Sequence, residues 1–126
     1  EAAVGAAVEL AGAAPATLRF WHTYDFTPQG DGDIYEAGQV YVSTDNGMNW
    51  TLLGEFTDAN YGWEEEEMDL TPYLGQVVRI GFYYGLFSLD RMPRPGWLVD
   101  DVEITVTGSG SGTIRVSNNL AHAHSP

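Results

Sequence analysis

The chain has no cysteine and no lysine; its five basic residues, Arg19, Arg79, Arg91, Arg94 and Arg115, are all arginine. Without cysteine there is no disulfide framework, no thiolate zinc site and no cysteine nucleophile. An extracellular life is still open, because 126 residues can bury a core without covalent staples. No segment repeats its apolar residues at helical spacing. No apolar run approaches the roughly 20 residues that cross a bilayer, so membrane insertion is not expected. The opening Glu1-Ala2-Ala3-Val4 has neither the basic start nor the apolar stretch of an export signal, so an exported form is expected to be mature or excised. Basic charge is scarce throughout: five bases face 18 acids, for a formal net charge of −13. Such a field repels phosphate backbones and argues against a nucleic-acid partner. It attracts cations, basic surfaces or calcium, although most of the acids read as a solubilising surface.

What the chain does have is aromatic side chains, 13% of its residues, in segments that alternate with period two. Leu18, Phe20, His22, Tyr24 and Phe26 share one side of a strand, with Thr17, Arg19, Trp21, Thr23 and Asp25 on the other. The stretch 39–43 is a second strand, turned by Asn46-Gly47, whose residues accept positive φ, and returned by 50–53. Val78, Ile80, Phe82 and Tyr84 form the core side of a strand over 76–84, and Val102, Ile104 and Val106 that of the last core strand. A weak first strand is expected over 6–10, a turn over 11–16, a charged strand over 63–70, and loops over 27–38 and 85–95. Seven or so strands separated by turns predict an all-β fold, an antiparallel jelly-roll-like sandwich. The expected divisions are a sandwich over 1–107, a Gly/Ser linker over 108–112 and a strand-like arm, or the start of a following domain, over 113–126.

Four blocks in order, Leu18 to Asp25, Tyr35 to Trp50, Asp69 to Phe82 and Gly96 to Ile104, resemble the MAM-like jelly-roll modules of secreted bacterial proteins, such as immune inhibitor A-type metallopeptidases. The resemblance covers about residues 6–107 and speaks to fold more than to function. It implies a structural calcium held by Glu36, where relatives carry Asp, and by Asp100 and Asp101.

Asp100-Asp101 also draws notice from the residues alone. On a regular strand one of the pair shares the parity of Val102 and Ile104 and faces the core, where a carboxylate needs a cation, an arginine or backbone donors. Calcium with Asp25 and Glu36 as companions is one answer; pairing with Arg19 or Arg79 is the other. Asp31, Asp33 and Glu36 alternate in a Gly-rich loop but lack the EF-hand set. Glu65 and Glu67, about 7 Å apart on one strand side, have the spacing of a glycosidase pair, yet a charged run on an edge strand more often blocks edge pairing. Trp21, Trp63, Trp97, Tyr41, Tyr61 and Tyr83 are candidates for a sugar-stacking platform; Tyr61 and Trp63, beside Gly62, are the two expected to be exposed. His22 reads as a satisfied core histidine, and His122 and His124 lack a third metal ligand.

Three functions follow as expectations. The first is a non-catalytic extracellular or cell-surface module for adhesion, ligand binding or interdomain packing, with other domains of its protein, or a glycan, as partners. The second is a filament subunit whose arm, Thr113, Ile114, Arg115, Val116 and Ser117, adds as a strand to a neighbouring identical subunit. A glycan hydrolase is the third.

Overall fold

The computed structural model describes residues 2–26, 35–87, 96–107 and 113–114. Among them are nine strands: β1 (Ala2–Val4), β2 (Val8–Glu9), β3 (Ala13–Tyr24), β4 (Tyr35–Ser43), β5 (Thr51–Phe56), β6 (Glu64–Asp69), β7 (Val77–Phe87), β8 (Trp97–Thr107) and β9 (Thr113–Ile114). A single 3-10 turn, Thr71–Tyr73, carries Pro72 in its first turn, where a missing N–H costs nothing. The strands form two antiparallel sheets, one ordered β1-β7-β4-β5 with β2 also on β7, the other β6-β3-β8-β9. The expected all-β sandwich is what the chain forms.

Its core is the set of alternating side chains read from the sequence. Leu18, Phe20 and His22 from one sheet, Phe26 just past its β3, and Val78, Ile80, Phe82 and Tyr84 from the other sheet are buried. Aromatic rings join the layers edge to face, as their quadrupoles favour: Phe20 and Phe82 at 5.2 Å, Trp97 and Phe82 at 5.8 Å between centroids. Trp97 is wholly buried, and Gly38 across from it leaves the room; a β-carbon there would lie 2.8 Å from the indole ring.

Trp97 brings a polar N–H into this core, and His22 answers it. The indole Nε1–H donates to His22 Nδ1 at 3.1 Å, so the other ring nitrogen, Nε2, carries the proton and faces Glu66 Oε2 at 3.3 Å. The expectation of a satisfied core histidine matches this geometry. Burial holds the His22 pKa below its ordinary 6.5, against the opposing hydrogen bond and charge of Glu66.

Several boundaries differ from the sequence reading. The first strand is not one segment over 6–10 but two short pieces along the same edge of β7, with the Gly5 N–H on the Ile80 carbonyl between them. The turn expected over 11–16 is largely strand, because Ala13 and Ala16 find partners in Thr107 and Val106 on either side of an irregularity. The two expected loops lose their inner ends to each other: Tyr35, Glu36 and Ala37 pair with Phe87, Leu86 and Gly85. The hairpin turn is as expected, with Asn46 and Gly47 at φ 62° and 93°. It is locked by Asp45, whose carboxylate takes the Asn49 amide and backbone N–H and the Ser43 hydroxyl, lowering its pKa to about 2. The arm expected outside the sandwich instead begins on it, Thr113 and Ile114 pairing with Thr105 and Ile104 of the same chain. Arg115, Val116, Ser117, the linker and residues 27–34 lie outside the described residues.

Gly38→Ala is expected to cost about 1–3 kcal/mol in urea denaturation by overpacking the fixed Trp97. Gly81→Ala, which meets the half-exposed and movable Trp50 at 3.1 Å, is expected to cost less. Lowering the pH below 6.5 is expected to remove stability at up to about 1.4 kcal/mol per pH unit, because the unfolded chain then binds a proton that folded His22 refuses. His22→Gln should remove that component of the slope below pH 6.5.

Candidate functional site: an aromatic cleft on the outer sheet face

The outer face of the β6-β3-β8-β9 sheet is assembled in rows. Cross-strand partners point the same way, so Glu65, Trp21 and Asp100 form one row over β6, β3 and β8, and Glu67, Arg19 and Glu103 the next. Arg19 donates from Nε to Glu67 at 2.7 Å and from Nη1 to the Thr105 hydroxyl at 3.0 Å. Glu67, one of the two carboxylates with glycosidase-like spacing, is therefore tied to a guanidinium.

The register of β8 shifts by one residue between Arg19↔Glu103 and Trp21↔Asp100, so Asp101 and Val102 together oppose Phe20. This is a β-bulge, with Asp101 in the left-handed region at φ 54°. It reverses the strand's parity: Trp97 and Val99 face inward before it, Val102, Ile104 and Val106 after it. Asp100 and Asp101 are consequently both exposed, and the expectation that one of them faces the core is corrected by the extra residue. Neither pairs with Arg19 or Arg79; Arg79 instead donates to Asn46 Oδ1 and the Gly5 carbonyl.

A second element completes the site. The segment between β5 and β6 is clamped to β3 by Asn60, whose Oδ1 accepts the Tyr24 N–H at 2.9 Å and whose N–H donates to the Tyr24 carbonyl at 3.1 Å. Positive φ at Asp58, Tyr61 and Gly62 turns the chain sharply there and sends Trp63 toward Trp21. Trp21, Trp63, Asp100 and Asp101 line a cleft of about 220 Å3. The two indoles are 40% and 50% exposed, a large apolar area to leave in water. Tyr61 is 89% exposed on the adjoining turn.

Of the six aromatic candidates, Trp21 and Trp63 meet in this cleft, while Trp97 belongs to the core. Tyr41 and Tyr83 are on the opposite sheet, where with Val4, Trp50, Gly81 and Phe82 they line an apolar hollow of about 270 Å3. Trp21 is the cleft residue that attention to loops underrates; its odd position in β3 was the available signal.

Among the described residues no three His, Asp or Glu side chains converge on one point. Asp25, just past β3, forms an isolated bridge with Ala59 and places its N–H on the Gly96 carbonyl, and Asp100 Oδ1 is taken by the Asp101 N–H at 2.8 Å. The Glu36 side chain is outside the described residues.

No protein-family model matches the chain. Over 93 residues, 74% of the chain, it is 28% identical to part of Bacillopeptidase F of Bacillus subtilis (strain 168). The matched stretch is 6% of that protein, so the chain resembles one small part of a much larger polypeptide.

The bulge yields its own test. Asp101→Val is expected to lose about 1–2 kcal/mol on chemical denaturation, since a β-branched residue is strained at this φ, whereas Asp101→Gly should keep or slightly raise stability.

Proposed function

We propose that the domain is a non-catalytic accessory module of an exported, multidomain protein, which uses the Trp21–Trp63 cleft to hold a glycan outside the cell. The MAM-like character read from the sequence belongs to this proposal. The observation that carries it is the pair of half-exposed indoles brought together from a strand and a clamped turn. Flat aromatic walls suit the C–H faces of a pyranose ring, and the rigid sheet beneath them means little ordering is needed on binding. An accessory role is supported by the likeness to a 6% portion of a peptidase, which gives this domain company in a larger chain. An extracellular setting agrees with the cysteine-free, acidic composition and does not depend on it.

The other readings have less behind them. Glu67 is held by Arg19, so the Glu65–Glu67 pair lacks a free second carboxylate. The arm's first two residues are spent on their own sheet in an antiparallel pairing with β8, which draws on the same strand-forming tendency that donation to a neighbour would need. Calcium has no part in the proposed contact, so a chelator is expected to leave glycan binding unchanged.

The proposal is checked on a polysaccharide and oligosaccharide array. Trp63→Ala and Trp21→Ala are each expected to weaken retention at least ten-fold, about 1.4 kcal/mol. Trp50→Ala, on the opposite sheet, should not. A chain that retains no glycan, or retains one equally well without both indoles, contradicts the reading.

A further inference from the structure

The chemistry of the cleft lining restricts what can enter. Its lining joins the indoles of Trp21 and Trp63 to two acidic residues, Asp100 and Asp101, with Glu65 directly across from Trp21. Carboxylates at neutral pH accept hydrogen bonds and donate none. A neutral sugar hydroxyl both donates and accepts, and is matched best by a mixture of amides, hydroxyls and acids. An ammonium group is different: it offers three donors and no acceptor, and it is attracted by the face of an indole as well as by a carboxylate. Two carboxylates beside indole faces are complementary to that group.

The charges around the cleft point the same way. Among the described residues no basic side chain pairs with Asp100 or Asp101. Arg19, in the next row, is committed to Glu67 and Thr105. The bulge places two adjacent carboxylates on one exposed side where a regular strand would put them on opposite sides. Like charges held side by side repel, and a bound cation relieves that repulsion.

We propose that the ligand of the Trp21–Trp63 cleft is an amine-bearing glycan, with a sugar ring against the indoles and its ammonium group on Asp100 and Asp101. This rests on the glycan reading above and adds the charge of the ligand to it. A glycan is favoured over a cationic peptide because two broad indole faces match a rigid, flat ring better than a flexible lysine stem, which would lose more freedom on binding.

Isothermal titration with a glucosamine tetramer and its fully N-acetylated counterpart tests the proposal. The free-amine tetramer is expected to bind at least ten-fold more tightly. Asp100→Asn with Asp101→Asn should erase that preference, and both sites are exposed, so the fold should survive, as circular dichroism would verify. Glu9→Gln with Glu55→Gln removes the same charge from the other sheet and should leave the preference intact. If that control weakens binding as much as the double Asn variant does, diffuse attraction explains the result and the proposal is overturned. Equal binding of the two tetramers, lost in Trp21→Ala and Trp63→Ala, overturns the charge assignment and leaves the glycan platform standing. Tighter, indole-dependent binding of a lysine-rich peptide overturns it in favour of a protein partner. Binding of neither tetramer nor any other glycan overturns both readings.

Discussion

In β8, two consecutive residues, Asp101 and Val102, face the single residue Phe20 of β3, and the alternation of side chains restarts from there. Without that insertion, Trp97 and Val99 would share a side with Asp101 and Glu103, and any register that buried one half of the strand would expose the other. Burying acids unpaired costs several kcal/mol each, more than a marginally stable domain of this size can lose. The bulge removes the conflict: it lets Trp97, Val99, Val102, Ile104 and Val106 all reach the core and puts both acids on the outer face. That same geometry builds the acidic end of the cleft. Core and site are two consequences of one extra residue held in the left-handed region.

The other constraint is the indole of Trp97. A side chain of that size at the centre of a two-layer core needs a gap opposite and a partner for its N–H. Gly38 supplies the gap from β4, and His22 supplies the acceptor from β3. The cost is a polar imidazole inside an aromatic cluster of Phe20, Tyr24, Phe56 and Trp97, with rings packed at centroid distances of 4.6 to 6.3 Å. Glu66, on the neighbouring edge strand, completes the chain of hydrogen bonds from the buried indole to the surface. An acidic run that looks like simple surface charge therefore includes one residue that is part of the interior's polar accounting.

Fold class and core were legible because period-two patterning acts strand by strand and needs no knowledge of partners. Leu18, Phe20, His22, Val78, Ile80, Phe82 and the Val102–Val106 series could be assigned inward by parity alone. The errors fell where pairing decided the outcome. Ala13–Ala16 has no side chains large enough to show a pattern, and it is strand because β8 is there to receive it. Tyr35–Ala37 and Gly85–Phe87 looked like loop because each is bordered by glycine and polar residues; they are strands because each is the other's partner. The parity argument failed at Asp100-Asp101 for a related reason. A bulge is a property of two strands in register, and Asp, unlike Gly, gives little warning that it will adopt a positive φ. Half of the aromatic site was visible, since Gly62 marked Tyr61 and Trp63 as exposed. The other half, Trp21, was a candidate on the outward side of β3 by parity, but its place beside Trp63 depended on the turn that Asn60 clamps to β3.

The two outer faces of the sandwich make different demands on their surroundings. On the β7 side, Val4, Tyr41, Trp50 and Tyr83 enclose an apolar hollow in which Trp50 covers Gly81. Polar neighbours there satisfy one another, as Gln39 does with Glu55 and Tyr41. On the β3 side the exposed indoles stand against Asp100 and Asp101, whose carboxylates form no ion pair among the described residues. Hydrophobic area alone would favour the first face for contact; unmet charge beside hydrophobic area favours the second for selective binding, because specificity comes from polar groups that only one kind of ligand can satisfy. An accessory module of the kind proposed has use for both. One face can pack against its own polypeptide, while the other is left to recognise something outside it.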